Sequence, residues 1–340
     1  MKPTAAVILA AGKSTRMKSD LPKVLHEVCG RPMLSYVLDA CRDAGVERLI
    51  VVVGDRRELV METYAHAQDI TWVHQREQNG TGHAVMVCRE ALAGFAGHVL
   101  VIAGDMPLIH SSTLQALQAE HEQAGRALTL ATTVLDNPAG YGRITRDENG
   151  DLVAIVEHKD CTPEQLAIHE VNPSYYCFDR AGLFEALDKL TAANSQGEYY
   201  ITDMVGILRR EGLGTGAIHA VPQEDALGIN SRIDLAEVNR VLQNRIQHGW
   251  MDRGVTITDP GTTWIESGAS IGTDTVLYPF SFVGSGTVVG RSCRLGPFAY
   301  LRREARVPAG TTVGPITERS SRVLGSRGVV TGKARAGVLR

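Results

Sequence analysis

The 340-residue chain lacks several things that would place it in well-defined classes. Its six cysteines, at 29, 41, 88, 161, 177 and 293, include no CxxC pair. That suits reduced thiols in a cytoplasm better than disulfides or a zinc site. No apolar run reaches the length of a membrane span, and Ala5 to Ala11 is too short for a signal peptide, so a soluble cytoplasmic protein is expected. Charge of one sign is also missing. With a net charge of −3, nothing global draws the chain to nucleic acid or to a membrane. Histidines never stand as HxxH or HxH, so His83 and His158 read as structural rather than as metal ligands.

Two phosphate-loop signatures are absent as well. Gly12 to Thr15 reads GKST, the end of a Walker A motif, but Val7 stands where that motif needs its first glycine. The dinucleotide fingerprint needs three glycines, and this loop has one.

What is present begins with Ala5 to Lys23, AAVILAAGKSTRMKSDLPK. The apolar run Ala5 to Ala11 reads as a buried parallel strand. It breaks at Gly12 into a loop carrying Lys13, Arg16, Lys18 and Lys23, a place where backbone N–H groups and cations can face a polyphosphate. Further strands are expected at Leu49 to Gly54, His98 to Asp105 and Ala127 to Leu135, with a crossover helix at Met33 to Ala44. Arg143 to His158 reads as a hairpin turning at Asn149-Gly150. Strands alternating with helices imply a mostly parallel, doubly wound α/β sheet with its ligands beyond the carboxyl ends of the strands. Gly12 and Asp105 both lie at such ends. Asp105, in GDMP, can hold a hard cation beside phosphates, and the glycines of Asn79-Gly80-Thr81-Gly82-His83 permit close approach of a flat ring.

Ser231 to Trp250 reads as a helix started by Ser231 and Asp234, with Ile233, Val238, Val241, Leu242, Ile246 and Trp250 as its apolar stripe. A strict period of six follows: Ile265, Ile271, Leu277, Val283, Val289, Leu295, Leu301, Val307 and Val313. A small residue stands four positions after each, from Ala269 to Thr317, and glycine follows five of them, at 272, 284, 290, 296 and 314. This is the hexapeptide repeat of a parallel β-helix, about three coils long, with the glycines expected to free the corners. The repeat fails at Arg319. The tail to Arg340 holds no acidic residue and is expected to be poorly ordered.

Taken in order, LAAGKSTRM, LPK (Leu21 to Lys23), GTGHA (Gly80 to Ala84), GDMPL (Gly104 to Leu108), GYGRI (Gly140 to Ile144), VEHKD (Val156 to Asp160) and GEYYITD (Gly197 to Asp203) closely resemble the bacterial N-acetylglucosamine-1-phosphate uridylyltransferases. The resemblance runs from about Ala5 to Val313. It implies a Rossmann-like nucleotidyltransferase domain over 1–230, a linker helix over 231–252, a short left-handed parallel β-helix over 253–318 and a tail over 319–340. It implies transfer of UMP from UTP to N-acetylglucosamine 1-phosphate with Mg²⁺. Leu9, Ala10, Ala11 and Gly12 would bind the nucleotide, and Gln75, Gly80 and Thr81 would read the uracil edge. Arg16 and Lys23 would neutralise the α-phosphate and the departing pyrophosphate. Asp105 and Asn230 would hold Mg²⁺. Gly142, Glu157 and Asn172 would bind the sugar, with Tyr199 and Thr202 closing the pocket. A homotrimer through the β-helix is expected.

The chain departs from the family in three places. Ser14 stands where the loop usually has glycine. Asn172-Pro173-Ser174 replaces the usual Asn-Thr-Gly at the sugar site. None of the eleven histidines lies beyond His248, so the essential histidine of the family's second, acetyltransferase site is missing and no such activity is expected.

Overall fold

A computed structural model describes residues 2–12, 15–54, 56–315, 317–319 and 329–330. Lys13, Ser14 and most of the basic tail lie outside the described residues. The chain divides into two compact units, Met1–His26 with Pro32–Leu235, and Glu27–Arg31 with Ala236–Arg340.

The first unit is built on a mixed sheet. Its strands lie in the order Thr215–His219, Leu128–Val134, Glu170–Asp179, His98–Ala103, Thr4–Ala10, Arg48–Val53 and Ile70–His74. Thr4–Ala10 is parallel to both neighbours, with Leu9 opposite Ala103 and Ala10 opposite Val53. Val7, Ile8, Ile50, Val51, Val101 and Ile102 are fully buried, which is why these strands read as unbroken apolar runs. The chain leaves Thr4–Ala10 on one side for Arg48–Val53 and returns on the other as His98–Ala103. That makes a topological switch point beside Gly12, where a ligand crevice belongs.

Three strands escaped the sequence reading: Ile70–His74 and Thr215–His219 at the edges, and one inside the sheet. Glu170–Asp179 runs antiparallel between His98–Ala103 and Leu128–Val134. Its register breaks between Val171 and Tyr175, and at the break Val171 and Asn172 pair with Arg143 and Gly142 of the hairpin strand Gly142–Arg146. The partner strand of that hairpin is Leu152–Val156.

The second unit is a short left-handed β-helix with three parallel sheets. Trp264 pairs with Phe282 and Phe282 with Tyr300, one coil for every three hexapeptides. All nine aliphatic positions from Ile265 to Val313 are buried, as are Thr275, Ser281, Thr287, Cys293, Ala299, Ala305 and Thr311 beside them. The small hydroxyls have a second use. Thr275 Oγ1 donates to the Gly290 carbonyl at 2.9 Å and Thr287 Oγ1 to that of Arg302 at 3.0 Å, satisfying carbonyls of the next coil. Val329–Val330 pairs with Thr312–Val313, so strand pairing resumes beyond the point where the hexapeptide pattern fails.

Of the glycines expected to free the corners, Gly296 has positive φ, at 94°, but three others have a different role. Left-handed corners lie three residues after each of the first eight aliphatics, at Gly268, Asp274, Phe280, Gly286, Ser292, Phe298, Glu304 and Gly310. Gly272, Gly284 and Gly290 are not among the positive-φ residues. They lie against the next coil: a β-carbon on Gly290 would stand 2.4 Å from the Ala309 nitrogen. Gly290→Ala should therefore lower stability by about 2–3 kcal/mol through overpacking against backbone. Ser292→Ala, two residues away and exposed, should change it by less than about 0.5 kcal/mol. Urea unfolding of both variants checks the contrast.

The helix Arg232–Met251 also corrects the pattern read from sequence. Ile233 is 80% exposed, while Gln243 and Gln247 are buried. Gln243 donates to the Ile265 carbonyl at 2.6 Å and accepts from the Ile265 N–H at 3.1 Å. Gln247 donates to the Thr263 carbonyl at 2.6 Å. These amides satisfy the irregular backbone where the β-helix begins, which aliphatic side chains could not do.

Candidate active site

The strand Thr4–Ala10 delivers Leu9 and Ala10 to the crevice and hands on to Ala11 and Gly12. A β-carbon on Gly12 would meet nothing within 4 Å, so no packing among the described residues accounts for glycine there. Across the crevice Gly104 donates its N–H to the Leu9 carbonyl at 2.9 Å. This contact sets Asp105 beside the loop.

Asp105 gathers the other polar groups. Its carbonyl accepts from the Ile229 N–H at 3.0 Å, which fixes Gly228-Ile229-Asn230 alongside. Its carboxylate forms an ion pair with Lys23 Nζ, whose side chain is 15% exposed. The same ammonium donates to Asn230 Oδ1 at 3.1 Å, and Arg16 Nη2 donates to that oxygen at 2.9 Å. Asn230 is held from behind by Asp234, whose Oδ2 accepts the N–H groups of Asn230 and Ser231 at 2.9 and 2.8 Å. Four residues assigned to catalysis and metal binding thus converge from chain positions more than two hundred residues apart. The oxygens expected to face a metal ion are engaged here by Lys23 and Arg16.

Leu9, Ala10, Ala11, Gly12, Lys23, Gln75, Gly80, Thr81 and Asp105 line one cavity of about 550 Å³. Gln75 is buried, its amide donating to the Gly80 carbonyl at 3.1 Å and lying 3.1 Å from His83 Nδ1. The Gly80-Thr81-Gly82 turn is fastened to the Glu198–Ile201 segment. Tyr199 donates its N–H to the Asn79 carbonyl, its own carbonyl accepts from Gly82, and Ile201 donates to Thr81 Oγ1 at 3.0 Å. A β-carbon on Gly80, where φ is 104°, would stand 2.6 Å from the Tyr199 carbonyl oxygen. These glycines therefore admit the protein's own backbone, a reason the sequence reading had assigned to a ligand ring.

Gly142, Glu157, Asn172 and Thr202 form a second group. Gly142 pairs with Asn172 across the strands, and Thr202 Oγ1 donates to Glu157 Oε1 at 3.1 Å. Burial pushes the Glu157 carboxyl above its usual range. The Thr202 hydrogen bond opposes this, and Asp160, Asp203 and Glu198 add to it. Asn172 Nδ2 donates to the Tyr176 phenol at 2.6 Å, and Tyr176 lines the cavity. Tyr199 is half-buried against the apolar core. Next to Gly142, Arg143 is fully buried. It donates to the Tyr141 carbonyl and lies 3.4 Å from His158 Nδ1, tying the hairpin to the segment carrying Glu157.

The MobA-like NTP transferase domain family matches residues 6–203. Bifunctional protein GlmU of Heliobacterium modesticaldum is 49% identical over 298 residues, covering 87% of this chain and 64% of that protein. GlmU of Pelotomaculum thermopropionicum is 43% identical over 354 residues, covering 94% of this chain and 77% of that one. The chain belongs to the GlmU family. It spans less than two thirds of the Heliobacterium relative's length and about three quarters of the Pelotomaculum relative's. A solved UDP-glucose pyrophosphorylase in complex with UDP-glucose matches with a TM-score of 0.59 at 19% identity, covering 72% of this chain and 99% of that one. That likeness is one of fold.

Sequence reasoning missed two cavity residues that this GlmU-family chain places there, Gln78 and Tyr176, and gave no individual role to Ser174, Glu198 and Ile201, which it met only within motifs. Gln78 donates to the Ala11 carbonyl at 2.5 Å and so braces the glycine loop. Its place between Gln75 and Gly80 was the available signal. Tyr176 had none, because the strand that carries it was not read. Among the described residues no group of three or more His, Cys, Asp or Glu side chains could hold a metal, and no helix is long and apolar enough to cross a membrane.

Proposed function

We propose that the chain transfers UMP from UTP to N-acetylglucosamine 1-phosphate, releasing pyrophosphate, with Mg²⁺. The observation that carries this reading is the convergence of Arg16 and Lys23 on Asp105 and Asn230 beside the open Gly12 loop. One phosphate oxygen of the sugar phosphate attacks the α-phosphorus in line. A new P–O bond forms, the α–β bridging bond breaks, and the electron pair leaves with pyrophosphate. The nucleophile is already anionic, so no general base is needed. The obstacle is repulsion between two polyanions, and positioned cations and backbone dipoles offset it.

Asp105 and Asn230 offer a carboxylate and an amide oxygen, hard donors that suit Mg²⁺ sharing its remaining positions with water and phosphate. When bound there it would supply positive charge to the phosphates. Lys23 and Arg16, released from those oxygens, would turn toward the α-phosphate and pyrophosphate. Leu9 to Gly12 would cradle the nucleotide, Gln75, Gly80 and Thr81 would read uracil, and Gly142, Glu157, Asn172, Tyr199 and Thr202 would hold the sugar. We assign this chemistry to residues 1–230, with 231–252 as the linker, 253–318 as an assembly module and 319–340 as a tail, in a cytoplasmic enzyme.

The β-helix surface supports a homotrimer. Phe280 stacks on Phe298 at 4.9 Å and Phe282 on Tyr300 at 4.7 Å, with Phe280, Phe298 and Tyr300 about half exposed. Light scattering should give three times the chain mass. Pyrophosphate release with UTP, Mg²⁺ and a panel of sugar 1-phosphates tests the activity. Turnover with N-acetylglucosamine 1-phosphate is expected, and its absence in folded protein that binds UTP would refute the reading.

A further inference from the structure

The chain leaves the first compact unit at His26, three residues after Lys23, and rejoins it at Pro32. The excursion is a hairpin of two short strands, Glu27–Val28 and Arg31–Pro32. Its turn residues Cys29 and Gly30 have φ of 46° and 83°. Positive φ at both places is the backbone of a tight two-residue hairpin turn, and a cysteine in the left-handed region costs free energy. So small a hairpin is not stable by itself.

The second unit holds it. The Cys29 N–H donates to Asn239 Oδ1 at 2.8 Å, and the Cys29 carbonyl accepts from the Ser267 N–H at 2.7 Å. A β-carbon on Gly30 would stand 2.5 Å from Glu266 Cδ, so the turn packs closely on that side chain. The Arg303 guanidinium completes the clamp. It donates to both Glu27 oxygens, at 3.2 and 2.5 Å, and to both Glu266 oxygens, at 2.9 and 3.1 Å. Two forks on one planar group fix angle as well as distance.

The hairpin grows directly out of the turn that carries Lys23. Leu25 donates its N–H to the Pro22 carbonyl at 2.9 Å and His26 to that of Lys23 at 3.1 Å, while Met33 donates to the His26 carbonyl at 3.0 Å. Val24, Leu25 and Val28 are buried, so the backbone between Lys23 and the hairpin has little room to absorb a displacement. Glu27 and Arg303 are each about half exposed, and an exposed ion pair adds little stability. What a doubly forked arginine adds there is placement.

We propose that Glu27 and Arg303 are positioning residues: by fixing the hairpin they fix where Lys23 meets the α-phosphate. The proposal rests on the UMP-transfer reading and names what sets one cation of that site. A small misplacement of a charge-stabilising group is enough to slow the chemistry.

Glu27→Ala removes the hairpin's half of the clamp and leaves Arg303 paired with the buried Glu266. Its kcat should fall about tenfold, with the KM for UTP and for the sugar 1-phosphate within about twofold of wild type. Its melting temperature should fall by less than about 3 °C. Arg303→Lys keeps a charge beside Glu266 but cannot fork, and kcat should fall by a similar factor. A second readout needs no turnover. The Lys23 side chain is 15% exposed in its ion pair with Asp105. An amine-acylating reagent should modify it at least about threefold faster in Glu27→Ala than in wild type, with the exposed Lys189 unchanged, as read by peptide mass spectrometry. An inactive wild type in which Glu27→Ala still frees Lys23 would uphold the coupling while refuting UMP transfer. In an active enzyme, a kcat for Glu27→Ala within about twofold of wild type would overturn the proposal. So would Lys23 labelling that stays at the wild-type rate, or that rises equally at Lys189.

Discussion

Asp105→Ala is expected to lower kcat/KM for pyrophosphate release by at least about a thousandfold, roughly 4 kcal/mol of transition-state stabilisation. The size follows from how much converges on this carboxylate. It pairs with Lys23, it is one of two oxygens offered to the metal, and it stands at the end of the strand facing Gly12. Removing it deletes a metal ligand and leaves Lys23 tied to Asn230 alone. The fold should survive, because the contact to Ile229 uses the Asp105 backbone carbonyl. Asp105→Asn should be nearly as inactive, since an amide oxygen is a weaker ligand for a hard cation and does not neutralise Lys23. Steady-state kinetics with a circular dichroism melt of each variant checks this. A loss smaller than tenfold would remove Asp105 from the metal site.

The second large effect is on stability and lies away from the crevice. His98 and His121 are buried edge to face, with ring centroids 4.7 Å apart. His121 Nδ1 lies 3.0 Å from Thr129 Oγ1, while His121 Nε2 and both nitrogens of His98 have no partner among the described residues. Burial lowers both imidazoles. For His121 the fall is to about 4, with His98, Lys2 and Arg126 lowering it further and Asp179 opposing. For His98, Lys2 is the next contributor, and Asp179 and Glu122 oppose.

Between the unfolded value of 6.5 and about 4, the unfolded chain binds a proton at His121 that the folded chain refuses. Stability is therefore full above pH 6.5 and declines as pH falls through this window. The loss from His121 alone should reach about 2 kcal/mol at pH 5. Urea midpoints at pH 7.5 and 5 read it directly. In His121→Gln the pH slope should shrink by about one proton, whatever the variant's absolute stability. An unchanged slope would show that His121 titrates normally in the folded protein.

Much of this architecture was legible in the sequence because a periodic pattern or a single-purpose residue carried it. The hexapeptide aliphatics have one environment, the prism interior, and all nine are buried. The strands around Gly12 and Asp105 are buried on both faces and read as continuous apolar runs. Features shaped by competing demands did not read. Glu170–Asp179 is interrupted by Pro173 and Ser174, residues that argue against a strand, yet Ser174 and Tyr176 line the cavity and Asn172 bonds to Tyr176 beside it. The helix Arg232–Met251 buries Val238 and packs Ile246 and Trp250 as an apolar stripe implies, but it also buries two glutamines that bond irregular backbone, which no apolar pattern reveals. The glycines of the β-helix and of the Gly80 turn were noticed, but their reason is contact with chain distant in sequence, which no local pattern contains.

The account stands or falls on UMP transfer at the Gly12–Asp105 crevice. The most direct measurement uses UTP labelled at the α-phosphate, with Mg²⁺ and N-acetylglucosamine 1-phosphate. The account predicts label in UDP-N-acetylglucosamine, one equivalent of unlabelled pyrophosphate for each labelled product, and neither with Asp105→Ala. Labelled UTP recovered intact from folded wild-type protein that binds it would contradict the account.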